Sequence, residues 1–223
     1  MEGGGDMSRT QLKMLAIVTM LIDHTGAIFF PNIAILRMIG RLSFPIFAFM
    51  ISEGLIHTSN IKAYLSRLFV FALISEVPYD LAFHRVLYYP QEQNVFFTLF
   101  LGLAAISFLH TYLAKNSVLS IALAGAAALL AEVLHTDYGW FGVVTVIIFW
   151  GFHKYQTKGV FAFSALNTGY ALVQSTLQVY AAAASIPILL FNGKKGNLNW
   201  KYFFYAFYPV HLLLLYFVYK VVK

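Results

Sequence analysis

No cysteine occurs among the 223 residues, which excludes disulfides, thiolate catalysis and Cys-ligated metals. Charge is scarce as well. Asp, Glu, Lys and Arg make up 11% of the chain, less than half of the ~25% usual in a soluble domain. Such a chain is too apolar for an ordinary soluble fold. Neither HExxH, GxSxG, a Walker-type loop nor GxGxxG is present, so no zinc-protease, serine-hydrolase or nucleotide-binding signature stands out. No metal is expected. The formal charge is +6, but no basic stripe interleaved with exposed aromatics accompanies it, and nucleic acid is not an expected partner.

What is present is apolar: 60% of residues are hydrophobic and 17% aromatic, in runs along the whole length. A transmembrane helix needs roughly 20 mostly apolar residues. Polar breaks delimit about nine such runs, at 12–30, 38–56, 65–83, 95–113, 117–135, 139–152, 159–173, 176–191 and 202–219. The uncharged stretch 159–191 is too long for the ~30 Å hydrocarbon core as one helix, and a break near 174–176 resolves it. The expected fold is therefore all-α: a polytopic integral membrane helix bundle embedded in the lipid bilayer, of about nine transmembrane helices. A short segment 1–11 precedes a single membrane domain over 12–223. The leading MEGGGDMSRTQ is too polar to start a signal peptide, and no small-residue cleavage site follows the first run, so the first helix is expected to be retained.

Lys and Arg set the orientation. With the N-terminus in the cytoplasm, the inside holds Arg9, Lys13, Lys62, Arg67, Lys115, Lys154, Lys158, Lys194, Lys195 and Lys201. The outer ends hold only Arg37, Arg85, Lys220 and Lys223, with Arg41 inside a helix.

Against this background the buried ionisable residues stand out. Asp23 and His24 lie side by side in the first run, where a central Asp costs about 2.5–3.5 kcal/mol on insertion scales. His24 sits about 18 Å into that span, near the midplane. Arg41 begins the second span from the outside. Glu76 and Asp80 are i and i+4, so both carboxylates leave one helical face, with Pro78 between them. His211 follows Pro209 midway along the last span, and Glu53 lies near the inner end of the second. Two histidines, several carboxylates and an arginine can thus meet in one polar layer. Adjacent helical residues point about 100° apart, so the expected orienting group for His24 is a carboxylate of the third span rather than Asp23. A structural account stands beside the chemical one, with Glu76 and Asp80 neutralising Arg41 and His211 bonding a carbonyl.

The segments TMLIDHTGAIFFP (19–31), LRMIGRLSFPIFAFMISEG (36–54), RLFVFALISEVPYDLAF (67–83), QNVFFTLFLG (93–102), TDYGWFGV (136–143), NGKKG (192–196) and FYAFYPVHLLLL (204–215) together resemble the TraX family, named for a conjugal-transfer protein implicated in acetylating F-type pilin. The likeness covers essentially the full chain. More distantly, the family is similar to polytopic membrane acyltransferases that carry acetyl groups from cytosolic acetyl-CoA to acceptors across the membrane. The resemblance implies a bacterial inner-membrane, multi-pass acetyltransferase with acetyl-CoA as co-substrate and an envelope acceptor of unknown class (peptide, glycan or lipid). His24 and Arg41 would be the functional pair, joined by His211 of YPVHL. Asp23, Glu76 and Asp80 would tune the site, and Arg41 or Asn94 would stabilise the oxyanion. Lys62, Arg67, Lys194 and Lys195 would hold the phosphates, with Glu53 at the same end. A small proton-coupled transporter using Glu76 or Asp80, and a scaffold with a purely structural polar layer, are the other two classes compatible with these residues.

Overall fold

The computed structural model describes residues 5–196 and 201–222. Lys223 and the side chain of Lys201, both counted above for orientation, lie outside the described residues. Helices α1 (Arg9–Phe29), α2 (Ala34–Gly40), α3 (Ser43–His57), α4 (Ile61–Phe83), α5 (Val95–Tyr112), α6 (Ser117–Val133), α7 (Gly139–Gly151) and α8 (Gln156–Val173) follow one another through short connections. A 3-10 segment, Thr176–Ala184, then runs into α9 (Ser185–Leu189), and α10 (Lys201–Val222) follows. Among the described residues there is no β-strand, only isolated bridges joining Met7 to Phe191 and Gln93 to Thr136.

The helix starts are written locally. Ser8 and Gln11 form a reciprocal capping box on α1, satisfying two of the amides that a helix start leaves open. Asn60, Asn94 and Asn116 accept from Ala63 N, Phe96 N and Leu119 N at 2.8, 3.0 and 2.9 Å, capping α4, α5 and α6. Removal of any one such cap costs typically ~1 kcal/mol.

Four helical stretches are long and apolar enough to cross a membrane: Arg9–Phe29, Ala34–His57, Val95–Tyr112 and Tyr202–Val222. They mark the chain as a membrane protein. Two expectations change in detail. The second run is two helices, broken at Arg41 and Leu42, rather than one. The eighth is a 3-10 segment ending in a five-residue helix, although the break before it falls at Gln174–Ser175 as the length argument required. Helix α1 packs on α2, α3 and α10, while α10 also packs on α4, and α3 on α7. Those contacts place α1 at the junction of the groups that bear the polar residues.

Candidate functional site

Asp23 and His24 diverge as consecutive helical residues must. Asp23 turns toward α2. Its Oδ2 accepts from Arg37 Nη1 at 2.6 Å, and its Oδ1 from Arg41 Nη2 at 3.4 Å. Arg37 Nη1 also lies 3.3 Å from the Asp23 carbonyl. This approach needs Gly40, because a Cβ there would sit 2.1 Å from Asp23 Oδ1. The sequence reading placed Arg37 at an outer end. It is in addition a partner of Asp23, and the i, i+4 spacing of Arg37 and Arg41 was the signal for it. Asp137, in the loop before α7, is exposed at its surface, yet the protein packed behind it partly desolvates the carboxyl and pushes it up to about 6, opposed by Arg41.

His24 turns toward α10. Its Nδ1 lies 2.7 Å from His211 Nε2, and the two rings lie nearly parallel, with a 9° interplanar angle, joined edge to edge through that contact. His211 Nδ1 in turn lies 2.8 Å from the Phe207 carbonyl. A carbonyl only accepts, so His211 Nδ1 carries the proton and its Nε2 is an acceptor. His24 must then donate from Nδ1, which leaves the Nε2 lone pair of His24 unspent. No hydrogen-bond partner holds that nitrogen among the described residues. Phe83 and Tyr208 close the surroundings edge-on, at 5.2 and 6.0 Å between centroids.

The expected carboxylate partner for His24 is therefore replaced by His211. The α4 carboxylates are engaged elsewhere: Glu76 accepts from the Asn94 side-chain amide, and Asp80 from Tyr89 N at 2.8 Å. One oxygen of each, Glu76 Oε1 and Asp80 Oδ1, is buried without a partner. Asn94 spends its amide on Glu76 and on the Ala72 carbonyl, at 2.8 Å from the latter, and its oxygen on capping α5. It holds α4 to α5 and has no donor left for an oxyanion. The single polar layer is thus three clusters rather than one.

A cavity of about 370 Å³ opens at the N-terminal end of α1. Arg9, Lys13, Arg67 and Lys195 supply its charge, and Met20, Phe96, Leu99 and Tyr208 are among its apolar walls. Lys13 and Met20 are seven residues apart on α1, and His24 is one turn further along the same face. On α10, Phe204 and Tyr208 line the cavity, and His211 continues that stripe by three residues. Both stripes run on past the cavity wall toward the histidine pair, which does not itself line the cavity. Lys62 and Lys194 are exposed and take no part in the lining, whereas Arg9 and Lys13, counted from sequence only as inside charges, do. Glu53 is buried at the C-terminal end of α3, 3.8 Å from both Arg9 Nη2 and His57 Nδ1. Among the described residues no three His, Asp or Glu side chains are grouped as a metal set.

The TraX protein family matches residues 8–219 of the chain. A "Probable fimbrial assembly protein FimC, serogroup H1" of Dichelobacter nodosus is 30% identical over 237 aligned residues, covering 94% of this chain and 95% of the relative. An "Uncharacterized protein RP591" of Rickettsia prowazekii (strain Madrid E) is 28% identical over 109 residues, covering 49% of this chain and 38% of that protein. No solved structure matches. A match across nearly the whole chain, through the DHTG, GRLSFP and YPVHL segments that build these clusters, makes this protein a member of the TraX family.

Proposed function

We propose that this protein is a multi-pass bacterial inner-membrane acetyltransferase, moving an acetyl group from cytosolic acetyl-CoA to an acceptor in the envelope. The apolar runs and the Lys/Arg bias support about nine crossings with a cytoplasmic N-terminus, four of them by helices long and apolar enough on their own. The observation that carries the reading is the cavity whose charged mouth gives way to apolar walls at Met20 and Tyr208, about one helical turn short of His24 and His211, which do not themselves line it. A thioester donor has the same polarity, with phosphates at one end and a short acyl group at the other. Arg9, Lys13, Arg67 and Lys195 would hold the phosphates. The fimbrial-assembly name of the Dichelobacter relative points to surface-appendage assembly as the setting.

In the chemical step, His24 Nε2 accepts the proton from the acceptor amine or hydroxyl as that atom attacks the thioester carbonyl. The C–S bond breaks on collapse of the tetrahedral adduct, and His24 returns the proton to the departing thiolate. His211 keeps His24 in the required tautomer throughout. Wild-type and His24→Ala membranes fed labelled acetyl-CoA on the cytoplasmic face provide the test. Label in an envelope component with the wild type alone is the expected result; equal labelling by both, at equal protein levels, overturns the assignment.

A second reading rests on Glu76 Oε1 and Asp80 Oδ1, two buried acceptors without donors in α4. Those oxygens suit a proton-coupled transporter. Proton uptake by reconstituted vesicles without acyl turnover, lost in Glu76→Gln or Asp80→Asn, would select it.

A further inference from the structure

A second cavity, of about 200 Å³, lies beside the first and has His57 in common with it. Its chemistry is reversed. No Lys or Arg lines it; its polar groups are Glu53, His57, His153 and Gln156. Glu53 is 4% exposed, and neither of its carboxylate oxygens takes a hydrogen bond among the described residues. The Arg9 and His57 nitrogens nearest to it stand at 3.8 Å, outside hydrogen-bond range. A carboxylate so buried, held among the described residues only by two long ion pairs, keeps acceptor capacity to spare, and the acetyl-transfer step makes no use of it.

The histidines add to the imbalance. His57 Nδ1 lies 2.8 Å from the Glu53 carbonyl, and His153 Nδ1 2.8 Å from the Trp150 carbonyl. Each carbonyl only accepts, so each Nδ1 bears the proton and each Nε2 is left as an acceptor. Arg9 Nη2 also approaches His57 Nδ1, at 3.3 Å. The shorter carbonyl contact decides the tautomer, and the arginine contact is then between two donors. Gln156 spends its amide nitrogen on the Ile188 carbonyl, leaving its oxygen. Phe49 meets Phe149 and Phe191 edge-on at 5.6 and 5.4 Å, forming an aromatic wall. The cavity therefore offers a carboxylate, three further acceptors and aromatic rings, a set complementary to an N–H-bearing cation.

We propose that this cavity is a binding site for a primary ammonium group, held by the Glu53 carboxylate with the free ring nitrogens of His57 and His153 against the Phe49 wall. No residue of α1 or α10, the helices that carry His24 and His211, lines it, so the ammonium is a bound ligand and not the group being acetylated. Arg9 links this site to the first cavity, which it lines while facing Glu53. An anion in the first cavity draws on Arg9, and an ammonium in the second satisfies Glu53. Each ligand thus offsets what the other takes from the Arg9–Glu53 pair, and their affinities rise together, by the same factor in each direction. This coupling, unlike the ammonium site, rests on the first cavity being an anion site as proposed above.

The test is calorimetric binding to the purified full-length protein in detergent at constant ionic strength, with ethylammonium as probe and 1-propanol as its neutral counterpart. Ethylammonium should bind and 1-propanol should not. Glu53→Gln, which keeps the shape, should weaken ethylammonium by about tenfold or more. His153→Phe, at a helix end, should also weaken it and serves where the Glu53 variant fails to fold. Saturating pyrophosphate should tighten ethylammonium several-fold. Equal binding of both probes, no binding of either, or full affinity in Glu53→Gln overturns the site. Glu53-dependent binding that pyrophosphate leaves unchanged overturns the coupling. A protein that binds ethylammonium through Glu53 but transfers no acetyl group upholds this site while removing the acetyltransferase assignment.

Discussion

Asp23 and His24 are neighbours on α1, at one depth, yet their surroundings are built for opposite ends. Asp23 is closed: two guanidiniums engage its two carboxylate oxygens, and Gly40 packs directly against it. His24 is open, since His211 fixes one ring nitrogen and leaves the other with a lone pair. A cluster whose groups are all satisfied is a lock; one with a group held in position and unspent is equipped for chemistry. Burial and charge alone do not separate the two cases.

The comparison breaks most decisively at His24. His24→Ala should lower acetyl transfer by about 10²–10⁴-fold, the range for loss of a general base, while thermal unfolding in detergent stays nearly where it was. Asp23→Ala should do the reverse. It leaves Arg37 and Arg41 facing each other without their anion and should destabilise the fold by about 3–5 kcal/mol; wild-type thermal stability in that variant would remove the lock. Loss of the partner that orients a functional histidine gives an intermediate effect, and His211→Phe should reduce turnover by about 10- to 100-fold. Because the tautomer is affected rather than donor binding, kcat should fall, the pH–rate profile should shift and KM should hold.

Smaller effects sharpen the contrast at its edges. Arg67→Gln with Lys195→Gln should raise the apparent KM for acetyl-CoA several-fold, chiefly at low salt. The same change at Lys62 and Lys194, which lie off the cavity, should leave KM alone; equal effects from both pairs would disconnect the cavity from the donor. The smallest signal belongs to Asp137. Its carboxyl sits near 6 in the fold against an ordinary value of 3.8, so the folded chain holds a proton that the unfolded chain has released. Stability should fall as pH rises between about 4 and about 6, and Asp137→Asn should flatten that part of the unfolding profile.

Much of this was legible in residues. Helix spacing announced that Glu76 and Asp80 share a face and that Asp23 and His24 do not. Arg37 was missed because charge bias assigns cations to membrane ends, while the turn at Arg41–Leu42 lays α2 against α1. The roles of Arg9 and Lys13 were missed because a stripe seven residues long has no meaning until a cavity runs along it. The His24 partner was assigned to α4 because a carboxylate commonly orients a histidine, and nothing local says which of two helices comes closer.

By itself the sequence determined the membrane character, the helical class, the family and the short roster of ionisable residues buried among apolar ones. The family follows from the resemblance of whole motifs; the rest follows from composition or from spacing along one helix, where backbone geometry fixes distances. The pairing of those residues was decided only by tertiary structure: His24 with His211 across 187 positions, Asp23 with Arg37 and Arg41, Glu53 beside Arg9. Packing of α1 against α2, α3 and α10 sets those contacts, and it is through them that a proton is placed on one ring nitrogen and withheld from another.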